Sequence, residues 1–482
     1  MDGRGLVHHR ARLAGVRGGI SQGLVSRFRR GAHRSALRTT LSAGANPERP
    51  PFDGVHSANA HRAGHGGTVN ERRVVVTGMA GVSPVGANWA EVRDALRSGR
   101  SGLAVWPVLE EIEGMRTRLA APVEEPALPS SAPRKKLRGM GRVARLATWA
   151  TAEALEDAGL LGDPVISDGR TGLAYGSTSG SPDAMVAFCK AFGVERRAKG
   201  VVPMQYLKLM SHTCAANLAQ YFAIRGAVLP TTSACTSGSQ AIGVGYEQVR
   251  FGRQDVMVCG GAEELHESEV GVFDLMFATS TRNEEPAAAS RPFDADRDGL
   301  VVGEGAGTLV LEALEHARAR GANILAEVIG YGTNCDGLHL MAPDPAGMEG
   351  AMRRALADAQ LEPGRVDYVC AHATATEAGD IAESIATRRA YGGKVPVSSL
   401  KGHLGHTLGA CGALEAWMAL GMLREGWVAP TLNLEKVDPR CAELDYVSGS
   451  PREIALEIVA NNNFAFGGIN TSLLFRRFTP GE

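Results

Sequence analysis

One cysteine, two histidines and a lysine are the side chains of this sequence whose types and settings suit covalent chemistry. The cysteine is Cys235, in Thr231-Thr232-Ser233-Ala234-Cys235-Thr236-Ser237-Gly238, where an apolar stretch gives way to a run rich in Ala and Gly. A thiol at a helix start meets the positive end of the helix dipole and backbone N–H groups that lack intrahelical partners. Both favour the thiolate, which is the nucleophilic form. Small neighbours leave room for a substrate to reach the sulfur. A buried structural cysteine satisfies the same local pattern, so this segment alone decides nothing.

Three further segments carry polar groups of the right kind. His372 lies in Ala371-His372-Ala373-Thr374-Ala375-Thr376, at the end of an apolar run. The carboxyl end of a strand in an α/β protein faces the edge where ligands bind, although a satisfied core histidine fits equally well. Lys401-Gly402-His403-Leu404-Gly405-His406 precedes Gly409-Ala410-Cys411-Gly412, and so dense a cluster is odd as mere surface. Asn461-Asn462-Asn463-Phe464-Ala465-Phe466-Gly467-Gly468-Ile469-Asn470 suits a tight loop that presents N–H groups and an apolar gate. An ordinary strand-to-strand turn with two core aromatics reads the same way.

The elements that must position these groups alternate. Strands are expected over 73–77 (closed by Gly78), 172–175, 228–232, 255–259 and 306–311, with helices over 143–158, 203–221 and 235–250. The second half repeats the rhythm: strands over 324–330, 366–371 and 395–398, helices over 348–359, 380–391 and 408–423. Such alternation argues α/β layers with largely parallel sheets. Residues 233–252 and 406–426 echo each other, each a small-residue start followed by an amphipathic helix after a strand. Two similar lobes, each donating a helix start to one central site, explain the echo.

Bulk properties narrow the class. The chain has 482 residues, 44% hydrophobic and 21% charged, with a formal net charge of −1, and that balance gives no sign of nucleic-acid binding. Its eight cysteines form no CxxC pair or framework spacing, which favours reduced thiols. No apolar run approaches the ~20 residues of a membrane span. The first seventy residues are rich in Arg, Gly, His and Ser and bury too little apolar surface to offset ordering entropy. They read as a disordered basic extension, with an organelle transit peptide as the rival and the cytoplasm as the expected compartment.

Together the four segments resemble the β-ketoacyl-acyl carrier protein synthases, type II condensing enzymes of the thiolase-like superfamily. The likeness runs from about Arg73 to Phe475. It includes Val75-Val76-Thr77-Gly78, Gly81-Val82-Ser83-Pro84-Val85-Gly86, and Arg291-Pro292-Phe293-Asp294 through Asp298-Gly299 to Gly303-Glu304-Gly305-Ala306-Gly307. The resemblance implies an α/β, thiolase-like duplicated fold in five layers, α-β-α-β-α. After an extension over 1–72, a half over 73–320 carries the nucleophile and a half over 321–476 carries the two histidines.

The same resemblance assigns roles. Cys235 accepts an acyl chain from the phosphopantetheine thiol of a carrier protein. His372 and His406 bind malonyl thioester and assist its decarboxylation, and Lys401 supports them. The N–H groups of Cys235 and Phe466 form an oxyanion hole. Thr374 and Thr376 hold the pantetheine arm, Phe464 and Phe466 form a gate, and Glu304 and Glu383 stand as acids near Lys401. His403 and Cys411 are bystanders. Neutral imidazoles suit this work because they donate hydrogen bonds to a developing oxyanion without acting as bases.

Acyl carrier protein is thus the implied partner, with malonyl- and acyl-carrier substrates and a homodimer or heterodimer as the assembly. Neither a metal nor a resident cofactor is called for, since phosphopantetheine arrives on the carrier. Two positions depart from the family pattern: Ala373 and Ala465 stand where Gly is common, which puts chain-length preference in doubt more than reaction type. Fatty-acid synthesis and a polyketide or aryl-polyene-type pathway both remain open. The rival readings are a non-elongating partner of the chain-length-factor type and a carrier-binding scaffold.

Overall fold

Eleven stretches, most of them rich in Val, Leu, Ala and Gly, pair into one sheet of the computed structural model, which describes residues 71–128 and 133–480. The extension expected over 1–72 lies, except for its last two residues, outside the described residues. The strands are β1 (Val74–Val82), β2 (Thr171–Gly176), β3 (Val228–Pro230), β4 (Val256–Glu263), β5 (Gly305–Ala313) and β6 (Ala326–Cys335). They continue with β7 (Tyr368–Cys370), β8 (Pro396–Ser398), β9 (Asp445–Tyr446), β10 (Ile458–Ala465) and β11 (Ile469–Arg477). Their spatial order is β9-β8-β7-β10-β11-β6-β1-β5-β4-β2-β3.

That order contains the same motif twice. In the first half, β3 and β4 flank β2 in parallel, and β5 and β1 follow antiparallel. In the second, β8 and β10 flank β7 in parallel, and β11 and β6 follow antiparallel. The halves join where β1 pairs antiparallel with β6, Val74 opposite Val328. The sheet is therefore mixed rather than largely parallel. One reason is local: only the three residues Phe466, Gly467 and Gly468 connect β10 to β11, and so short a link permits only a hairpin.

Several boundaries also differ from expectation: of the segment 461–470, expected as a tight loop, only residues 466–468 lie outside β10 and β11. β1 does not close at Gly78 but continues past a register shift between Val76 and Gly78, and a side chain is excluded at Gly78 because a Cβ there would lie 2.2 Å from the Ala154 carbonyl oxygen on the helix packed against it. The helix expected over 203–221 is two, Pro203–Leu209 and Thr213–Phe222.

Six helices place the site: α1 (Arg142–Asp157), α2 (Ser237–Arg250), α3 (Glu267–Leu275), α4 (Pro345–Asp358), α5 (Glu377–Tyr391) and α6 (Cys411–Glu425). α1 packs on β1, β4 and β5, and α4 packs on β6 and β11 with α5 beside it. α2 and α6 pack on each other and touch strands of both halves, which gives the five layers their middle. The sequence of α6 up to Leu423, Cys-Gly-Ala-Leu-Glu-Ala-Trp-Met-Ala-Leu-Gly-Met-Leu, is apolar on every face but for Glu415, as befits an enclosed helix. Among the described residues no helix is long and apolar enough to cross a membrane.

The echo between 233–252 and 406–426 is this α2–α6 pair. Their starts approach backbone to backbone: a Cβ on Gly412 would lie 2.6 Å from the Ser239 nitrogen, and one on Gly238 would lie 2.9 Å from the Ala413 nitrogen. Gly412→Ala should therefore lower unfolding free energy by about 1–3 kcal/mol, as overpacking does. A denaturation midpoint equal to that of the parent would contradict this close approach.

Candidate active site

The nucleophile's position is set by a strained turn. After β3, residues Ala234–Thr236 form one 3₁₀ turn that leads into α2. Ala234 has φ +50°, a left-handed conformation that costs a residue with a Cβ of order 1–3 kcal/mol. The side chain of Ser237 compensates, accepting from the Ser233 N–H at 3.0 Å and donating to the Ala234 carbonyl at 2.7 Å. Cys235 is left buried at 7% exposure, facing the second half.

Burial changes the expected chemistry of that thiol. Desolvation pushes the Cys235 thiol up to about 12, outweighing the Lys401 charge and the N–H groups of Cys235 and Phe466, which pull the other way. The free thiolate favoured by the helix start is not the resting form. Removal from water dominates because the low-dielectric interior penalises the charged state. The two N–H groups aimed at the sulfur are those expected to form the oxyanion hole.

Both histidines reach the same place from the other half. His372 follows β7, with its N–H donated to Glu383 at 2.8 Å, and the adjacent Ala373 N–H reaches the second carboxylate oxygen at 2.6 Å. His406 is pinned by backbone pairing: its N–H donates to Val301 at 2.7 Å and its carbonyl accepts from Gly303 at 2.9 Å. Its Nε2 lies 3.1 Å from Cys235 Sγ, and its ring centroid is 5.1 Å from that of His372 at 86°. Burial, then the Lys401 charge, holds both imidazoles well below the ordinary histidine range.

Behind His372 lies a buried ion pair. Lys401 Nζ is 3.3 Å from His372 Nδ1 and is paired with Glu415 of α6, both side chains 1% exposed. Burial works against the ammonium, and the Glu415 carboxylate more than restores it, so Lys401 stays charged. The second Glu415 oxygen accepts from Asn463 Nδ2 at 2.7 Å. Sequence reasoning missed both Glu415 and Asn463. A signal existed for the first, a lone acid inside an otherwise apolar helix, since an unpaired charge there is too costly to keep.

The expected acids divide. Burial pushes Glu383 up to about 8, and its oxygens serve the backbone of the His372 loop rather than the lysine ammonium. Glu304 does not stand beside Lys401: its carboxylate accepts from Arg142 at 2.8 Å and from the N–H groups of Val123 and Leu265 at 2.8 and 3.0 Å. Lys401 is neutralised by Glu415 instead, which leaves no need for a second acid. His403 turns away and meets the Arg100 carbonyl at 2.9 Å. Cys411 is nearer than a bystander, donating its thiol to the Cys235 carbonyl at 3.2 Å.

A cavity of about 430 Å³ leads to the sulfur, lined by Cys235, His372, His406, Thr374, Thr376, Phe464 and Phe466 among others. The Thr374 and Thr376 hydroxyls are 3.0 Å apart on its wall. The Phe464 ring meets His372 edge-on at 6.1 Å, while Phe466 is 40% exposed and packs 5.6 Å from Phe273. Ala373 and Ala465 also line the cavity, and neither needs positive φ, so each methyl is accommodated without backbone strain and narrows the space. The Cys235, His372 and His406 ligand atoms lie within 4.8 Å of one another, a set that suits a zinc-type ion as well as a substrate.

The family model described as beta-ketoacyl synthase, N-terminal domain, matches residues 71–317, and the corresponding C-terminal domain model matches residues 325–435. The 3-oxoacyl-[acyl-carrier-protein] synthase 1 of Haemophilus influenzae is 40% identical over 410 residues, covering 84% of this chain and 99% of that protein. The crystal structure of a beta-ketoacyl synthase from Burkholderia phymatum is 53% identical with a TM-score of 0.83, covering 85% of this chain and all of that one. A ketosynthase of a type II polyketide system, solved with its acyl-carrier protein and a bound hexaketide, is 29% identical with a TM-score of 0.78, again over 85% of this chain and all of that one. Two adjoining models and relatives matched nearly end to end give one assignment: the chain belongs to the beta-ketoacyl synthase family.

Proposed function

We propose that the chain catalyses decarboxylative Claisen condensation of an acyl group on Cys235 with malonyl-acyl carrier protein, in fatty-acid or polyketide-type synthesis. The observation that carries this is the 3.1 Å contact between Cys235 Sγ and His406 Nε2, with His372 facing both inside the cavity. In the first half-reaction the Cys235 sulfur attacks the carrier thioester as its proton leaves, with the neutral His406 imidazole beside it as a hydrogen-bond partner. The leaving pantetheine thiolate recovers that proton, so acyl-S-carrier and thiol exchange to acyl-S-Cys235 and a free carrier thiol.

In the second half-reaction malonyl thioester loses CO2. The electron pair left on its C2 is delocalised into the thioester oxygen, which accepts hydrogen bonds from the two neutral imidazoles. That carbon attacks the acyl carbonyl, whose oxyanion accepts from the N–H groups of Cys235 and Phe466. The C–S bond breaks, the Cys235 thiolate takes up one proton from solvent, and β-ketoacyl carrier departs. Thr374 and Thr376 present hydroxyls to the pantetheine arm, and Phe464 and Phe466 gate the cavity. No step needs a resident cofactor or metal.

The halves at 73–320 and 321–476 divide the labour as nucleophile and decarboxylation machinery. We assign the working state to a cytoplasmic homodimer. β3 supports the assembly, being one of the two outer strands of the sheet, with Val228 38% exposed. Incubation with malonyl-carrier and a panel of acyl-carriers, read by intact mass, tests the activity. A β-ketoacyl product is expected from at least one acyl donor. None across a broad panel would favour the non-elongating partner reading.

The electrostatics also predict a pH response. With both histidines neutral well below the ordinary value of 6.5, condensation should hold as pH falls from 7.5 through 6.5. Protonation would remove the neutral donors only below that window. An acid limb with its midpoint at 6.5 or above in the pH–rate profile would contradict this arrangement.

A further inference from the structure

His372 Nδ1 faces two hydrogen-bond donors, Lys401 Nζ at 3.3 Å and Asn463 Nδ2 at 3.4 Å. An acceptor is the only role left to that nitrogen, so its proton must sit on Nε2. The amide orientation of Asn463 is fixed by its surroundings. Reversal would set Oδ1 against the Glu415 carboxylate, which now accepts from Nδ2 at 2.7 Å. The residue itself is clamped: its carbonyl accepts from Thr471 Oγ1 at 3.1 Å, and Thr471 Oγ1 lies 2.7 Å from Ser239 Oγ on α2. Strand pairing sets the reach, since β10 runs parallel to β7 with Asn461 opposite Cys370, which brings Asn463 level with His372.

We propose that Asn463 is a positioning residue for the condensation: it holds Glu415, and through it Lys401, so that His372 is kept with its proton on Nε2, aimed at the malonyl thioester. This rests on the condensing reading above and adds a determinant to it. The amide is suited to the task because it donates without carrying charge. A carboxylate there would repel Glu415, and an apolar group would leave one Glu415 oxygen buried without a donor. Asn463 has no contact with the Cys235 sulfur, its one sulfur contact being a long one to Cys411 at 3.7 Å, so its effect falls on the step that needs His372 as donor. Acyl loading of Cys235, which needs His406, depends on it less.

The test uses the full chain and its Asn463→Leu and Asn463→Ser variants. Acyl loading of Cys235 and decarboxylation of malonyl-carrier are measured separately, and the His372 ring nitrogens are read by NMR after ¹⁵N-histidine labelling. In the parent, His372 Nδ1 should show the unprotonated signature. Asn463→Leu should slow decarboxylation about ten- to a hundredfold more than loading and shift that signal toward the protonated form. Asn463→Ser, which keeps a donor, should recover most of the difference. Equal losses in both half-reactions with an unchanged His372 signal would overturn the proposal. So would a protonated Nδ1 in the parent, a result that needs no variant to fold. A parent that neither loads nor decarboxylates would overturn the condensing reading instead, and the NMR signature would still decide the tautomer.

Discussion

Cys235→Ala should lower β-ketoacyl product formation by at least about a thousandfold, the scale on which removing a covalent nucleophile acts. The site is otherwise prepared for the smaller side chain. Cys235 sits among Ala, Ser and Thr, and the strained Ala234 turn is held by Ser237 and not by the sulfur. The fold should therefore survive, and circular dichroism and denaturation would confirm it. Cys411→Ala is the matched comparison, since that thiol's hydrogen bonds are one to the Cys235 carbonyl and a weak one from Asn463. It should cost no more than about tenfold, consistent with one neutral hydrogen bond. Product assayed with the best acyl donor distinguishes the two, and comparable losses would show that Cys235 is not the nucleophile.

The second large effect belongs to Lys401. Lys401→Met leaves Glu415 without its counter-ion among buried groups, and breaking such a pair costs about 3–5 kcal/mol. It also removes a donor from His372 Nδ1 and the positive charge that, after burial, depresses that imidazole. Condensation should fall about a hundredfold or more, and the acid limb of the pH–rate profile should move upward. Pairing it with Glu415→Gln removes both charges, so the double variant should recover much of the lost stability while staying inactive. Urea denaturation of the four proteins closes the cycle. A double variant no more stable than Lys401→Met alone would show that the ion pair is not what the core depends on.

Much of the architecture was legible because periodicity reports burial. The buried strands and the apolar helix Cys411–Glu425 announce themselves as runs of Val, Leu, Ala and Met, and the paired helix starts were visible as an echo. Parallel against antiparallel pairing was not, because strand composition does not encode direction; the Phe466-Gly467-Gly468 link was the available clue. At the site, Cys235, His372 and His406 were found by type and context, and the structure brings their side chains together. Glu415 sits inside a regular helix, where a polar residue reads as incidental until its neighbours are known, and Asn463 lies in a segment that reads as loop although it belongs to β10, so its side chain carries no role in the sequence. Glu304 was misplaced for the complementary reason: an acid near a motif in sequence had already been claimed by Arg142 in space. The state of the thiol could not be read locally at all, since burial by the other half decides it.

Sequential loading tests the central idea most directly. The protein is incubated with an acyl-carrier, digested and searched by mass spectrometry for the acylated peptide, and a second sample is chased with malonyl-carrier. The acyl group is predicted on Cys235 alone, lost on the chase in step with the appearance of a product two carbons longer. An acyl group on Cys411, or one on Cys235 that malonyl-carrier releases only as free acid, would contradict it.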